Sequence, residues 1–179
     1  MKIYTRKGDD GSTGLLYGGR VPKDAAAPEA YGTVDEAQAV LGLARAETER
    51  GSELHELLIR LERDLWVVMG ELATDAANRD KLGPDARVSP AMVDGLEPLI
   101  DDLTSRFDPP REFVVPGQNR VAALLDVART VVRRAERRAL TAAVPDAHVV
   151  PYLNRLSDLL WTMARWQEDA YLPTRERNA

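Results

Sequence analysis

Glycines at 8, 11 and 14 interrupt a run of hydroxyls and cations near the start of the chain, Tyr4-Thr5-Arg6-Lys7-Gly8-Asp9-Asp10-Gly11-Ser12-Thr13-Gly14, and Gly18, Gly19, Arg20 and Lys23 follow closely. Glycine lets the backbone turn its N–H groups inward. Hydroxyls and cations within reach of the same point then complete a concavity suited to a polyphosphate. The run begins at residue 2, ahead of any strand-to-helix unit, and lacks the G-x-x-x-x-G-K-[ST] spacing of a P-loop, so a phosphate cradle here is of another type. The same residue types also make plain turns, and an N-terminal hairpin without a ligand accounts for them about as well.

A second group of chemistry-bearing residues lies far along the chain. Arg129, Arg133, Glu136 and Arg137 recur every three or four residues of a helical pattern and share one polar stripe, with Arg134 and Arg138 pointing elsewhere. Guanidinium groups make forked contacts with phosphate oxygens. The competing reading is a solvated face on which Glu136 bridges its arginine neighbours, and exposed pairs of that kind contribute little. Asn154, Asp158, Trp161 and Arg165 form a similar strip opposite Leu153, Leu156, Leu160 and Met163, placed to meet the first. Hydrogen bonding between helices explains that strip as well as a ligand does. Trp66 and Trp161 read as core or interface anchors.

The two histidines argue by exclusion. Ser52 stands three residues before His55 and Pro145 three before His148, so there is no Glu-x-x-His pair and a carboxylate-bridged metal bundle is disfavoured. Neither falls in a Ser/His/Asp arrangement, and both read as surface residues.

Helices must position these groups. Thr33 and Glu36 have the spacing of a capping box, and Val34, Ala37, Val40, Leu41 and Ala44 follow at helical intervals. Leu54, Leu57, Leu58, Leu61, Leu65, Val68, Met69 and Leu72 make one unbroken stripe of a second, long helix. Ser89-Pro90 opens a third through Val93, Leu96, Leu99, Ile100 and Leu103, weakened at Gly95 and Pro98. Asn119 caps a fourth through Val121, Leu124, Leu125, Ala128, Val131, Val132 and Ala135, and a fifth follows Pro151. No strand pattern separates them. Phe113-Val114-Val115-Pro116-Gly117 reads as a loop, extended before its proline, that positions Phe113.

With 179 residues and 44% hydrophobic content the chain fills one core, so 1–179 is expected as a single all-α domain. Within it, 1–28 is the binding loop, 29–171 a five-helix bundle and 172–179 a tail expected to be flexible. A formal charge of −5 argues against a nucleic-acid coat, and the absence of cysteine excludes disulfides and thiolate chemistry. No apolar run approaches the roughly 18 residues of a membrane span, and the start has no signal-peptide core, so a cytoplasmic protein is expected.

Five segments in order carry a resemblance to a known family: Lys2-Ile3-Tyr4-Thr5-Arg6 with Gly8-Asp9-Asp10-Gly11; Glu29-Ala30-Tyr31-Gly32-Thr33-Val34-Asp35-Glu36; Phe113-Val114-Val115-Pro116-Gly117; Ala128-Arg129-Thr130-Val131-Val132-Arg133-Arg134-Ala135-Glu136-Arg137; and Tyr152-Leu153-Asn154-Arg155-Leu156-Ser157-Asp158. Together the chain resembles the PduO-type ATP:cob(I)alamin adenosyltransferases. The resemblance implies a five-helix trimer that transfers the 5′-deoxyadenosyl group of ATP, taken with Mg2+, to the cobalt of cob(I)alamin as substrate.

It also implies roles for residues. Thr5, Arg6, Lys7, Gly8, Thr13, Gly14 and Lys23 would wrap the ATP phosphates, with Arg133, Arg134, Glu136, Arg137 and Asn154 completing the nucleotide site from a neighbouring subunit. Arg133 and Phe113 would be catalytic, Phe113 by displacing the lower axial ligand of cobalt, and Asp35 with Arg129 would form an intersubunit salt bridge. A core phenylalanine is the plain reading of Phe113. The implied partners are a homotrimer, a cobalamin reductase and an adenosylcobalamin-dependent enzyme. Gln118 departs from the family, which commonly has a second glycine there. The competing functional expectations are a helical bundle that senses or hydrolyses ATP without a corrinoid, and a purely structural oligomer.

Overall fold

A computed structural model describes residues 2–142 and 147–175. Six α-helices are described: α1 Ala26–Ala46, α2 Glu53–Leu72, α3 Pro90–Asp94, α4 Glu97–Thr104, α5 Arg120–Ala142 and α6 Val149–Trp166. Four short strands pair two by two, β1 Ser12–Gly14 with β2 Arg20–Pro22 and β3 Val114–Val115 with β4 Leu172–Pro173, both antiparallel.

The core lies where α1, α2, α5 and α6 meet, with α4 against α6. Alanines make the closest seam: Ala30, Ala37 and Ala44 of α1 and Ala122, Ala128, Ala135 and Ala139 of α5 are fully buried, and small side chains let helix backbones approach closely. Leu58, Leu61 and Leu65 of α2 and Leu153, Leu156 and Leu160 of α6 fill the rest of the core at zero exposure. Burial of each is worth about 1.5–3 kcal/mol. Tyr152 is enclosed among them, its hydroxyl donating to Asp64 Oδ2 at 3.0 Å.

Four elements differ from the sequence reading. Helix α1 starts seven residues before Thr33, which lies inside it and donates its hydroxyl to the Glu29 carbonyl at 2.6 Å. Thr33 therefore caps nothing. Pro28 sits in the first turn, where a missing N–H costs nothing. The third helix divides into α3 and α4 around Gly95 and Leu96, because Pro98 can supply no N–H to continue the ladder; the described helices thus number six, where five were expected. Helix α6 begins at Val149, two residues before Pro151. The segment expected as a tail begins as a strand at 172–173, with Thr174 N–H donating to the Phe113 carbonyl at 2.8 Å, and its residues 176–179 lie outside the described residues. The caps at Ser89 and Asn119 are as read, and Ser52 caps α2 in the same way, each accepting from the backbone N–H three residues on.

The end of α2 ties the N-terminal ribbon to the bundle. Leu16 N–H donates to the Ala73 carbonyl at 2.9 Å, and Leu16 bridges Thr74. Beside them buried Glu71 takes the Val88 N–H at 2.7 Å and pairs with Arg79, which fastens the linker after α2 to the same end. Trp66, read as an anchor, is 67% exposed and so is no part of this protomer's core.

Candidate active site

The N-terminal run, expected to cradle a polyphosphate, folds as a hairpin. Thr13 pairs with Val21 and Gly14 with Arg20, and Lys23 N–H donates to the Gly11 carbonyl at 2.9 Å. That return brings the Lys23 side chain over Gly8, where a Cβ would lie 3.1 Å from its Nζ. Thr5, Arg6, Lys7 and Lys23 are exposed, with Gly8 and Thr13 half-buried beneath them. Arg6 holds a left-handed backbone, φ 59°, which a non-glycine residue adopts only at some cost in strain. Its guanidinium packs 5.8 Å from the centre of the Tyr4 ring.

Arg20 has a different task. It donates to the Lys7 carbonyl and to the Ser12 hydroxyl and pairs with Asp10 at 3.6 Å, so it braces the ribbon from its exposed face. The Ser12 backbone N–H and hydroxyl, more than Arg20, hold the Asp10 carboxyl below its usual value.

On α5 the arginines divide by direction. Arg134 and Arg138 turn to α1 and pair with Glu36 and Glu29, the latter at 2.6 Å. Glu136 turns to α6 and accepts from Asn154 Nδ2 at 2.9 Å, so the two polar strips do meet. Among the described residues it bridges no arginines. Arg133 and Arg137 are exposed and, among the described residues, have no hydrogen-bond or ion-pair partner. Within one protomer no hydrogen bond or ion pair among the described residues joins them to the N-terminal cradle.

Phe113 is 90% exposed, which removes the reading of a core phenylalanine. It stands at a cleft of about 500 Å³ lined also by Val114, Pro116, Asp126, Arg129, Trp161 and Arg165. Pairing of β3 with β4 fixes the backbone on which it projects. Beyond it, Gly117 takes the positive φ of the loop, 110°, while Gln118 is not among the residues with positive φ. The position where the family commonly has a second glycine thus needs no glycine here.

The chain is similar to known proteins over nearly its full length. The cobalamin adenosyltransferase family model matches residues 3–167. A corrinoid adenosyltransferase of Citrobacter freundii is 42% identical over 171 residues, 93% of this chain and 95% of the relative. The chain belongs to the cobalamin adenosyltransferase family. A corrinoid adenosyltransferase of Mycobacterium tuberculosis is also 42% identical, over 92% of this chain and 87% of its own. Among solved structures, a histidine variant of the PduO-type ATP:corrinoid adenosyltransferase from Lactobacillus reuteri, complexed with cobalamin and ATP, superposes with a TM-score of 0.86 at 28% identity, covering 99% of this chain and 97% of that one.

As a member of that family the protein has two residues that sequence reading did not single out at the cleft. Asp126 stands one turn before Arg129 on the polar stripe of α5 and Arg165 near the end of α6, both almost fully buried and joined at 2.6 Å. The spacing of Asp126, three residues before Arg129 and seven before Arg133, is the one signal the sequence offers for it. Arg129 pairs with Asp126 at 3.2 Å, and Asp35 is exposed with no partner among the described residues of its own protomer. The described residues hold no cluster of three or more histidines and carboxylates suited to a metal.

Proposed function

We propose that this cobalamin adenosyltransferase moves the 5′-deoxyadenosyl group of ATP onto the cobalt of cob(I)alamin, giving adenosylcobalamin and triphosphate. The cobalt lone pair attacks carbon 5′, a cobalt–carbon bond forms as the carbon–oxygen bond breaks, and triphosphate leaves with the electron pair. Cob(I)alamin is itself a strong nucleophile, so the protein needs no general base and its work is alignment and charge stabilisation.

The observation that carries this reading is one chain presenting both a cationic glycine cradle, Lys23 over Gly8, and an exposed aromatic, Phe113, at a separate cleft. MgATP enters as a substrate complex, its metal held mainly by phosphate oxygens. Thr5, Arg6, Lys7, Gly8, Thr13, Gly14 and Lys23 wrap the triphosphate. Arg133 and Arg137, exposed and unpaired, reach it from a neighbouring protomer of a homotrimer, with Glu136 and Asn154 orienting each other beside them. Arg134 joins them only by sharing or leaving Glu36. Asp35 meets Arg129 of the next protomer, which makes assembly a condition of activity.

Phe113 faces the lower side of the corrinoid, displaces the axial ligand and leaves a cobalt that is easier to reduce. A reductase that supplies cob(I)alamin and an enzyme that uses adenosylcobalamin are the expected partners, in the cytoplasm. A bundle acting on ATP without a corrinoid would leave Phe113 without a task. The test is to mix protein, MgATP and chemically reduced cobalamin without oxygen and follow the cobalt absorbance. Adenosylcobalamin should form at a rate proportional to protein, and phosphate release with no cobalt–carbon product would overturn the proposal.

A further inference from the structure

Asp126 and Arg165 are a buried ion pair, 4% and 3% exposed, at the junction of α5 and α6. Arg165 Nη2 donates to Asp126 Oδ2 at 2.6 Å, Arg165 Nε donates to Glu168 Oε2 at 2.7 Å, and the guanidinium lies 5.9 Å from the centre of the Trp161 ring. The other Asp126 oxygen accepts from Arg129 Nε at 3.2 Å. One carboxylate thus holds two guanidinium groups, one on each oxygen, and cannot rotate without losing both.

Such a chain is a poor device for stability alone. Desolvating its charges costs several kcal/mol per ion, and apolar residues of similar volume commonly hold two helices as well. Its position offers another reason, because Asp126, Arg129, Trp161 and Arg165 all line the cleft at Phe113. Hydrogen bonds to Asp126 and Glu168 outweigh burial and keep Arg165 charged.

We infer that Arg165, acting through Asp126, is a positioning residue that fixes Arg129 on the wall of the Phe113 cleft and so sets how the corrinoid is received. This rests on the reading of that cleft as the corrinoid side of the site. Among the described residues Arg129 is anchored through Nε alone, which leaves its two terminal amino groups to project from a fixed root.

The test compares Asp126→Asn, Arg165→Met and Arg165→Lys, with KM measured separately for cob(I)alamin and ATP and with thermal unfolding alongside. The Asn and Met variants should raise the corrinoid KM about tenfold while the ATP KM stays within about twofold. Arg165→Lys keeps the charge and one contact to Asp126, so it should recover part of the loss. If the Met variant fails to fold, the Lys and Asn variants still carry the split between substrates. Equal changes in both KM values, or an unchanged corrinoid KM in a folded variant, would reduce the chain to a structural clasp and overturn the inference. Phe113→Ala in the same assays separates the two levels: if it leaves every corrinoid parameter unaltered, the reading of the cleft falls, whatever Arg165 does.

Discussion

Gly8 and Lys23 compete for one place. A Cβ on Gly8 would lie 3.1 Å from both Cε and Nζ of Lys23 and 3.0 Å from the Ser12 carbonyl, closer than side chains tolerate without something moving. Gly8→Ala should therefore displace Lys23 from the cradle and weaken ATP binding about tenfold. Gly42→Ala, inside α1, is the control, since its Cβ would meet nothing nearer than Glu62 Oε1 of α2 at 3.4 Å. It should leave ATP affinity alone and raise stability by about 0.5–1 kcal/mol, the usual gain from removing a helix-interior glycine. Titration calorimetry with MgATP decides it, and equal affinities for the two variants would contradict the cradle.

The arginines of α5 should separate by the direction they face. Arg133→Ala removes an exposed, unpaired group, so stability should change by no more than about 0.5 kcal/mol while kcat/KM for ATP falls by about 100-fold or more. Arg138→Ala breaks only an exposed pair with Glu29, which should cost about 0.2–1 kcal/mol of stability and little activity. Steady-state kinetics and urea unfolding on both variants would show it. A reversed pattern would mean that the stripe was assigned to the wrong face.

Phe113→Ala should fold as well as the parent, because a side chain 90% exposed contributes little to the core of this protomer. The proposed role puts its effect at the cobalt. Activity from cob(II)alamin under a reductase should be lost, and activity from preformed cob(I)alamin should fall far less, as loss of the lower ligand matters for the reduction. The two assays run side by side provide the measurement, and matching losses would contradict the axial-ligand role.

The long helices were legible because their periodicity is dense: eight apolar positions mark α2, and Asn119 caps the helix it precedes. Where a local signal had two physical meanings, the reading went wrong. Thr33 and Glu36 have the spacing of a capping box, but a hydroxyl inside a helix can donate a hydrogen bond to the carbonyl four residues back, and does. Gly95 and Pro98 were visible as weak points, but whether they bend or divide a helix depends on packing around Leu96. Strands of two or three residues carry no periodicity at all, so the pairing of Val114–Val115 with Leu172–Pro173 could not be read. In the site, spacing foretold that Arg134 and Arg138 leave the stripe. It could not tell that Arg165 is buried, because that depends on Asp126 facing it from another helix.

Asp64 gives a pH prediction. Burial raises its carboxyl above the ordinary value, opposed by the Tyr152 hydroxyl and by Arg60, which favour the ion. The folded state therefore holds this proton more tightly than the unfolded chain does. Stability from this group is greatest below the unfolded value of about 3.9 and is lost as pH rises through the raised folded value. Asp64→Asn, which stays neutral and can still accept from Tyr152, should gain most relative to the parent near pH 7 and less near pH 4. Denaturant unfolding at both pH values checks this; an advantage that grows in acid would contradict it.

The central claim is that the cradle of one protomer and the α5 arginines of its neighbour form one site, and subunit complementation tests it most directly. Lys23→Ala and Arg133→Ala should each be nearly inactive alone, yet trimers co-assembled from equal amounts should regain on the order of a quarter of the parent rate, the statistical share of interfaces joining two intact halves. A mixture that stays as inactive as its components, with mixed trimers verified by differential tagging, would place both halves of the site in a single chain and contradict the account.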